Sequence, residues 1–152
     1  MKRRVFALAG LVMAAGLAPS EPDARARWSS WRERVATAGP VDQRGHGLGA
    51  AATQFGAGND GAIVQRGRDS TAVLRQDGNV NTGAVYQRGS GNTGALIQNG
   101  DHNNGCLLQA GNNLDGTMVQ SGGENRAVAQ TNAGVREYHG IACNLIAGAR
   151  FR

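Results

Sequence analysis

Lysine is almost missing from this chain of 152 residues: Lys2 is the only one, and every other cationic side chain is arginine. Aromatic residues make up 5%, and there are three prolines and two cysteines. Each scarcity excludes something. Rings bury the most area per side chain, so a chain this poor in Trp, Tyr and Phe has a narrow interior assembled from small pieces. Two cysteines cannot supply the framework of a disulfide-stapled miniature domain. The one long apolar run, Val5 to Ala18, is 14 residues, short of the roughly 20 that span a bilayer. It follows the basic Met1-Lys2-Arg3-Arg4 and precedes Ala24-Arg25-Ala26, the layout of a cleaved secretory signal. Residues 1–26 are therefore expected to be removed on export, with an uncleaved anchor as the alternative, and no stable membrane insertion is expected.

Catalytic constellations are scarce as well. His46, His102 and His139 are scattered, no Cys or His pair has metal-ligand spacing, and no nucleophile sits beside a base and an orienting group. No catalytic, metal or cofactor-binding residue is assigned, and the chain is not expected to be an enzyme. The net charge of +5 first suggests a polyanionic partner. Between residues 43 and 130, however, six arginines (44, 66, 68, 75, 88, 126) face six acids (60, 69, 77, 101, 115, 124), so the excess lies in the flanks and a nucleic-acid partner is not expected.

What the chain has in plenty is glycine, 24 residues, and a repeat. Gln43, Gln54, Gln65, Gln76, Gln87, Gln98, Gln109 and Gln120 are spaced by 11 without a slip, and a glycine follows each two residues later. A fixed period is the signature of stacked repeats. Counting from Gln as zero, position nine is always apolar: Ala52, Ile63, Leu74, Val85, Leu96, Leu107, Met118 and Ala129. Positions five, seven, nine and eleven share one face of an extended strand. Each strand thus turns a small polar residue, a Gly or Ala, an apolar residue and a Gln inward. The glycine-containing stretch after each Gln is the turn.

Asn59, Asn81, Asn103 and Asn125 occupy position five of alternate units, and Arg44, Arg66 and Arg88 also fall 22 apart. The coil is therefore expected to hold two strands and two turns. The fold class that follows is all-β, a flattened two-sheet β-solenoid of about four 22-residue coils, or eight 11-residue strand-turn units, over residues 43–130. Inward amides stacked in columns donate to one neighbour and accept from the other, which satisfies groups that are costly to bury unpaired. The eight glutamines and the four asparagines are the candidate ladder residues.

These phased columns resemble the curlin repeat, carried by subunits of the extracellular amyloid fibres called curli, which reads Ser-x5-Gln-x-Gly-x2-Asn-x-Ala-x3-Gln. The unit from Ser70 through Gln76, Gly78 and Asn81 to Gln87 departs only at Gly83, where the family has Ala. Neighbouring units keep Gln, Gly and Asn but hold Leu48, Asn92 or Leu114 in the Ser slot, and the last is one residue short, ending at Gln130. The resemblance implies a secreted subunit, at the cell surface, that self-assembles into fibres for adhesion and biofilm matrix. It implies a companion curlin subunit, a periplasmic chaperone and an outer-membrane export channel as partners, with residues 27–42 as export or linker segment. The alternative is a monomeric β-solenoid that binds a surface or ligand, of the ice- or glycan-binding type.

Residues 131–152 break the period and are expected to be a tail. Cys106, at an outward position, and Cys143, in that tail, are a candidate disulfide in an oxidising compartment; free thiols and an intermolecular bridge are the other possibilities.

Overall fold

The computed structural model describes residues 39–140. The expected signal at 1–26, most of the 27–42 segment and the end of the 131–152 tail lie outside the described residues. The described residues form ten strands: β1 (Val41–His46), β2 (Gly49–Phe55), β3 (Asp60–Arg68), β4 (Thr71–Asp77), β5 (Thr82–Ser90), β6 (Thr93–Asn99), β7 (Asn104–Ala110), β8 (Asp115–Ser121), β9 (Asn125–Thr131) and β10 (Gly134–His139). From β1 to β9 the chain crosses from one sheet to the other at every turn. Odd strands form one sheet in the order β1-β3-β5-β7-β9, extended by β10, and β2-β4-β6-β8 form the other. Neighbours pair in parallel with residues 22 apart, Gln43 beside Gln65 and Gln54 beside Gln76. The protein is an all-β solenoid of two sheets and about four coils.

Alternation along each strand sets which side chains meet between the sheets. Ile63, Val85 and Leu107 from the odd sheet and Leu74, Leu96 and Met118 from the even sheet form the inner apolar column. The small residue two positions earlier makes room for the opposite sheet's glutamines. A Cβ on Gly105 would lie 2.0 Å from Gln120 Oε1, and one on Gly83 would lie 2.8 Å from Gln98 Oε1. Gly83, a departure from the curlin pattern, is thus matched to its surroundings.

The turns repeat a left-handed residue at one place in each turn column: Gly47, Asp69, Gly91 and Asn113 after odd strands, and Gly58, Val80 and His102 after even strands. Val80 has φ 56°, a conformation in which a β-branched residue is strained. Its side chain is exposed, so little packing offsets the strain. Val80→Asn is expected to stabilise the fold by about 1 kcal/mol, read as a higher midpoint in guanidinium unfolding with an unchanged slope.

The final coil departs from the period. Between β7 and β9 the offset is 21, with Asn104 beside Asn125 and Gln109 beside Gln130. The missing residue comes out of the turn before β9. A strand shifted by one residue turns each side chain to the other face. Three expectations change accordingly. Asn125 is not in the asparagine column but at the exposed start of β9, and Glu124 takes that place. Ala127 and Ala129 are on the outer face, while Val128 fills the apolar slot beside Leu107 and Arg126 the small slot beside Gly105. Residues 131–140, expected as tail, complete β9 and form β10, which pairs antiparallel with β9.

The outer faces of the two sheets also differ. On the even sheet Val73 and Val119 are exposed. On the odd sheet Ala84, Cys106, Leu108, Ala127 and Ala129 form a second buried cluster, against which Ala62, Tyr86 and Tyr138 pack. Cys106 lies on the outer face yet is buried, within two adjacent columns that are apolar from β3 to β9. It is disulfide-bonded; the expected partner, Cys143, lies outside the described residues.

Candidate assembly site: amide ladders and the ends of the stack

Seven of the candidate glutamines are buried, and Gln43, on the first strand, is exposed. They form two ladders, one in each sheet. In the odd sheet Gln43 Nε2 donates to Gln65 Oε1 at 2.6 Å, Gln65 to Gln87 at 2.7 Å, Gln87 to Gln109 at 2.8 Å and Gln109 to Gln130 at 2.8 Å. In the even sheet Gln54 donates to Gln76, Gln76 to Gln98 and Gln98 to Gln120. Four of the interior amides send their second N–H to a backbone carbonyl of the other sheet, Gln76 to Asp60, Gln87 to Thr71, Gln98 to Thr82 and Gln109 to Thr93, while that of Gln65 goes to the Ser70 carbonyl in the turn. The four cross-links tie the sheets together and have no signal in the glutamine spacing. Both ladders run in one direction, donor toward the carboxyl-terminal end.

The asparagines work differently. Asn59 Oδ1 accepts the Asn81 backbone N–H, and Asn81 Oδ1 accepts that of Asn103, each at 2.9 Å. Their Nδ2 groups donate to carbonyls of the next turn, Gly78 and Gly100. This column ends where Glu124 N–H donates to Asn103 Oδ1 at 3.1 Å. Ser70 and Asn92 occupy the equivalent buried places in the other turn column.

The two turn columns carry opposite charge. Arg44, Arg66 and Arg88 stack in register, with His46 and Arg68 beside them, whereas the other column holds Asp77, Asp101 and Glu124 and no arginine. The neutral sum conceals this polarity. Among the described residues the even-strand turns, where the asparagine column runs, hold no arginine and one histidine, His102, and the arginine-rich column holds one acid, Asp69.

The ends of the stack are unlike. At the amino-terminal end β1 has one strand neighbour, β3, and Gln43 Oε1 accepts no hydrogen bond among the described residues. At the other end β10 covers the edge of β9 with six paired residues. Arg126 Nη2 donates to the Val119 carbonyl of β8 at 2.6 Å, and Arg126 Nη1 lies 3.1 Å from Glu137 Oε1 on β10. Gln130 Nε2 donates to the Asp115 carbonyl and has one N–H left over. At this end the odd sheet is thus closed by β10, a segment expected only as tail, and β8 is the edge of the even sheet.

No group of three or more His, Cys, Asp or Glu that could hold a metal lies among the described residues. No family model, curated protein or solved structure matches the chain.

Proposed function

We propose that the chain is a secreted structural subunit that self-assembles head to tail into extracellular fibres of the curli type, without enzymatic activity. The observation that carries this reading is the polarity of the glutamine ladder. Its head presents an unused acceptor, Gln43 Oε1, and its tail an unused donor on Gln130 Nε2. Head against tail, these complete one more rung; head against head, two acceptors would meet. A contact between unlike ends does not close and yields a filament. The fibre serves adhesion and biofilm matrix, and by the same resemblance a companion subunit, a chaperone and an export channel are its partners.

A ligand-binding monomer is less well supported. Regular outward threonine columns would favour it, but Thr71 stacks on Thr93 in one sheet while Thr82 lies in the other. The test is whether the purified chain lacking residues 1–26 forms thioflavin-positive filaments at neutral pH with a meridional repeat of about 4.8 Å. Filaments are expected within days; a chain that stays monomeric with and without seeds overturns the reading.

A further inference from the structure

We propose that β10 is a displaceable plug: it holds the β9 edge that the β1 edge of a second copy takes over as the fibre grows. The inference rests on the self-assembly reading above. Among the described residues every other strand pair is parallel, and β9–β10 alone is antiparallel. Nothing in β10 continues a ladder. Val135 stands opposite Gln130 and is 63% exposed, and of the six residues only Tyr138 is half-buried. The strand is held by a tight hairpin through Asn132 and Ala133, which keeps it near β9 at low entropic cost.

An incoming β1 fits the same edge better. Placing its Gln43 beside Gln130 sets Val41 beside Val128, so the apolar column and the amide ladder both continue. It also sets Gly39 beside Arg126, restoring a small residue next to the slot that Arg126 overfills. The plugged end carries an internal cost, because Arg126 Nε is buried without a hydrogen-bond partner, a costly state for a charged group. Exchange of β10 for β1 removes Glu137 from Arg126 and leaves that side chain free to reorient. The even-sheet edge, β8, is not covered by β10, and apart from the Arg126 bond to Val119 it stands ready for β2 of the same incoming copy. Opening the tail is then the gate on elongation.

Two experiments on the full chain test this. The first is the Arg136→Pro, Glu137→Pro double variant. Successive residues of a strand point their N–H groups to opposite sides, so one of the two prolines must remove a bond to β9. Seeded elongation is expected to be about tenfold faster than for the natural chain, the effect of weakening the plug by roughly 1.4 kcal/mol. Filaments that elongate at equal or lower rates overturn the plug and leave the self-assembly reading intact; no filaments from either chain sinks that reading and the plug with it. The second experiment needs no variant. A synthetic peptide of residues 132–140, at millimolar concentration, is expected to slow elongation of natural seeds several-fold, with a scrambled peptide inert. Elongation unaffected by the peptide contradicts the plug.

Discussion

Gln98→Ala is expected to destabilise the fold by about 3–5 kcal/mol, the largest loss from any single side chain in the ladders. Gln98 is fully buried, accepts from Gln76, and donates to Gln120 and to the Thr82 carbonyl. Truncation leaves a donor on Gln76, an acceptor on Gln120 and a backbone carbonyl with one partner fewer, at about 1–3 kcal/mol for each group left unsatisfied. A cavity adds to this. Partial relaxation keeps the sum below the simple total. Gln98→Leu fills the space but leaves the same groups short, so it is expected to recover only a minor part. Gln43→Ala is the contrasting case: that residue is exposed at the head and makes one ladder bond, so its loss is expected to stay below about 1 kcal/mol. Urea unfolding of the three variants checks the order, and a Gln98→Ala loss as small as that of Gln43→Ala would remove the ladder from the account of stability.

Gly89→Ala is expected to cost about 2–4 kcal/mol. Gly89 has φ +118°, and a Cβ there would lie 1.8 Å from the Gly111 carbonyl oxygen of the next coil. The obstacle is backbone, so relief requires the turn to shift against its neighbours in the column, and strain of about 1–3 kcal/mol accompanies the unfavourable φ. Gly67 meets the same arrangement, with the Gly89 oxygen 1.8 Å away. Gly122 is the control. Its φ is +67°, but nothing lies within 4 Å of a Cβ there, so Gly122→Ala is expected to cost only about 1 kcal/mol, from conformation alone. Thermal unfolding of the pair separates the two contributions; equal losses would show that stacking of the turn column adds nothing.

The parts of this architecture that repeat were legible in the residues, and the parts that break the repeat were not. Gln, Gly and the apolar position recur in phase, and a period of 22 with alternating faces leaves only one way to stack them. The shortened last unit illustrates the limit. Replacing Asp101-His102-Asn103 by Gly123-Glu124 deletes one residue, and spacing does not say whether turn or strand absorbs it. A shortened turn places Asn125, Ala127 and Ala129 on the outer face; a shortened strand would have kept Asn125 inside. β10 was hidden for a related reason: Val135, Arg136 and Glu137 match no column, since an antiparallel strand at the edge has no coil to join. Burial of Cys106 did have a signal. Ala62, Ala84 and Cys106, beside Val64, Tyr86 and Leu108, form two adjacent outward columns with no charge in them, which marks a covered surface rather than a solvated one. The cross-sheet bonds from glutamine to backbone carbonyl had none, because they depend on how closely the sheets approach.

Continuity of the glutamine ladder from one subunit to the next is the claim on which the functional account depends. Solid-state NMR on filaments grown from an equal mixture of two chains tests it, one labelled at the Gln130 side-chain nitrogen and the other at the Gln43 side-chain carbonyl carbon. An intermolecular Gln130–Gln43 contact is expected in the filaments and none in the monomer mixture. Filaments that lack this contact, or that show Gln43 against Gln43, would contradict head-to-tail growth along the ladder.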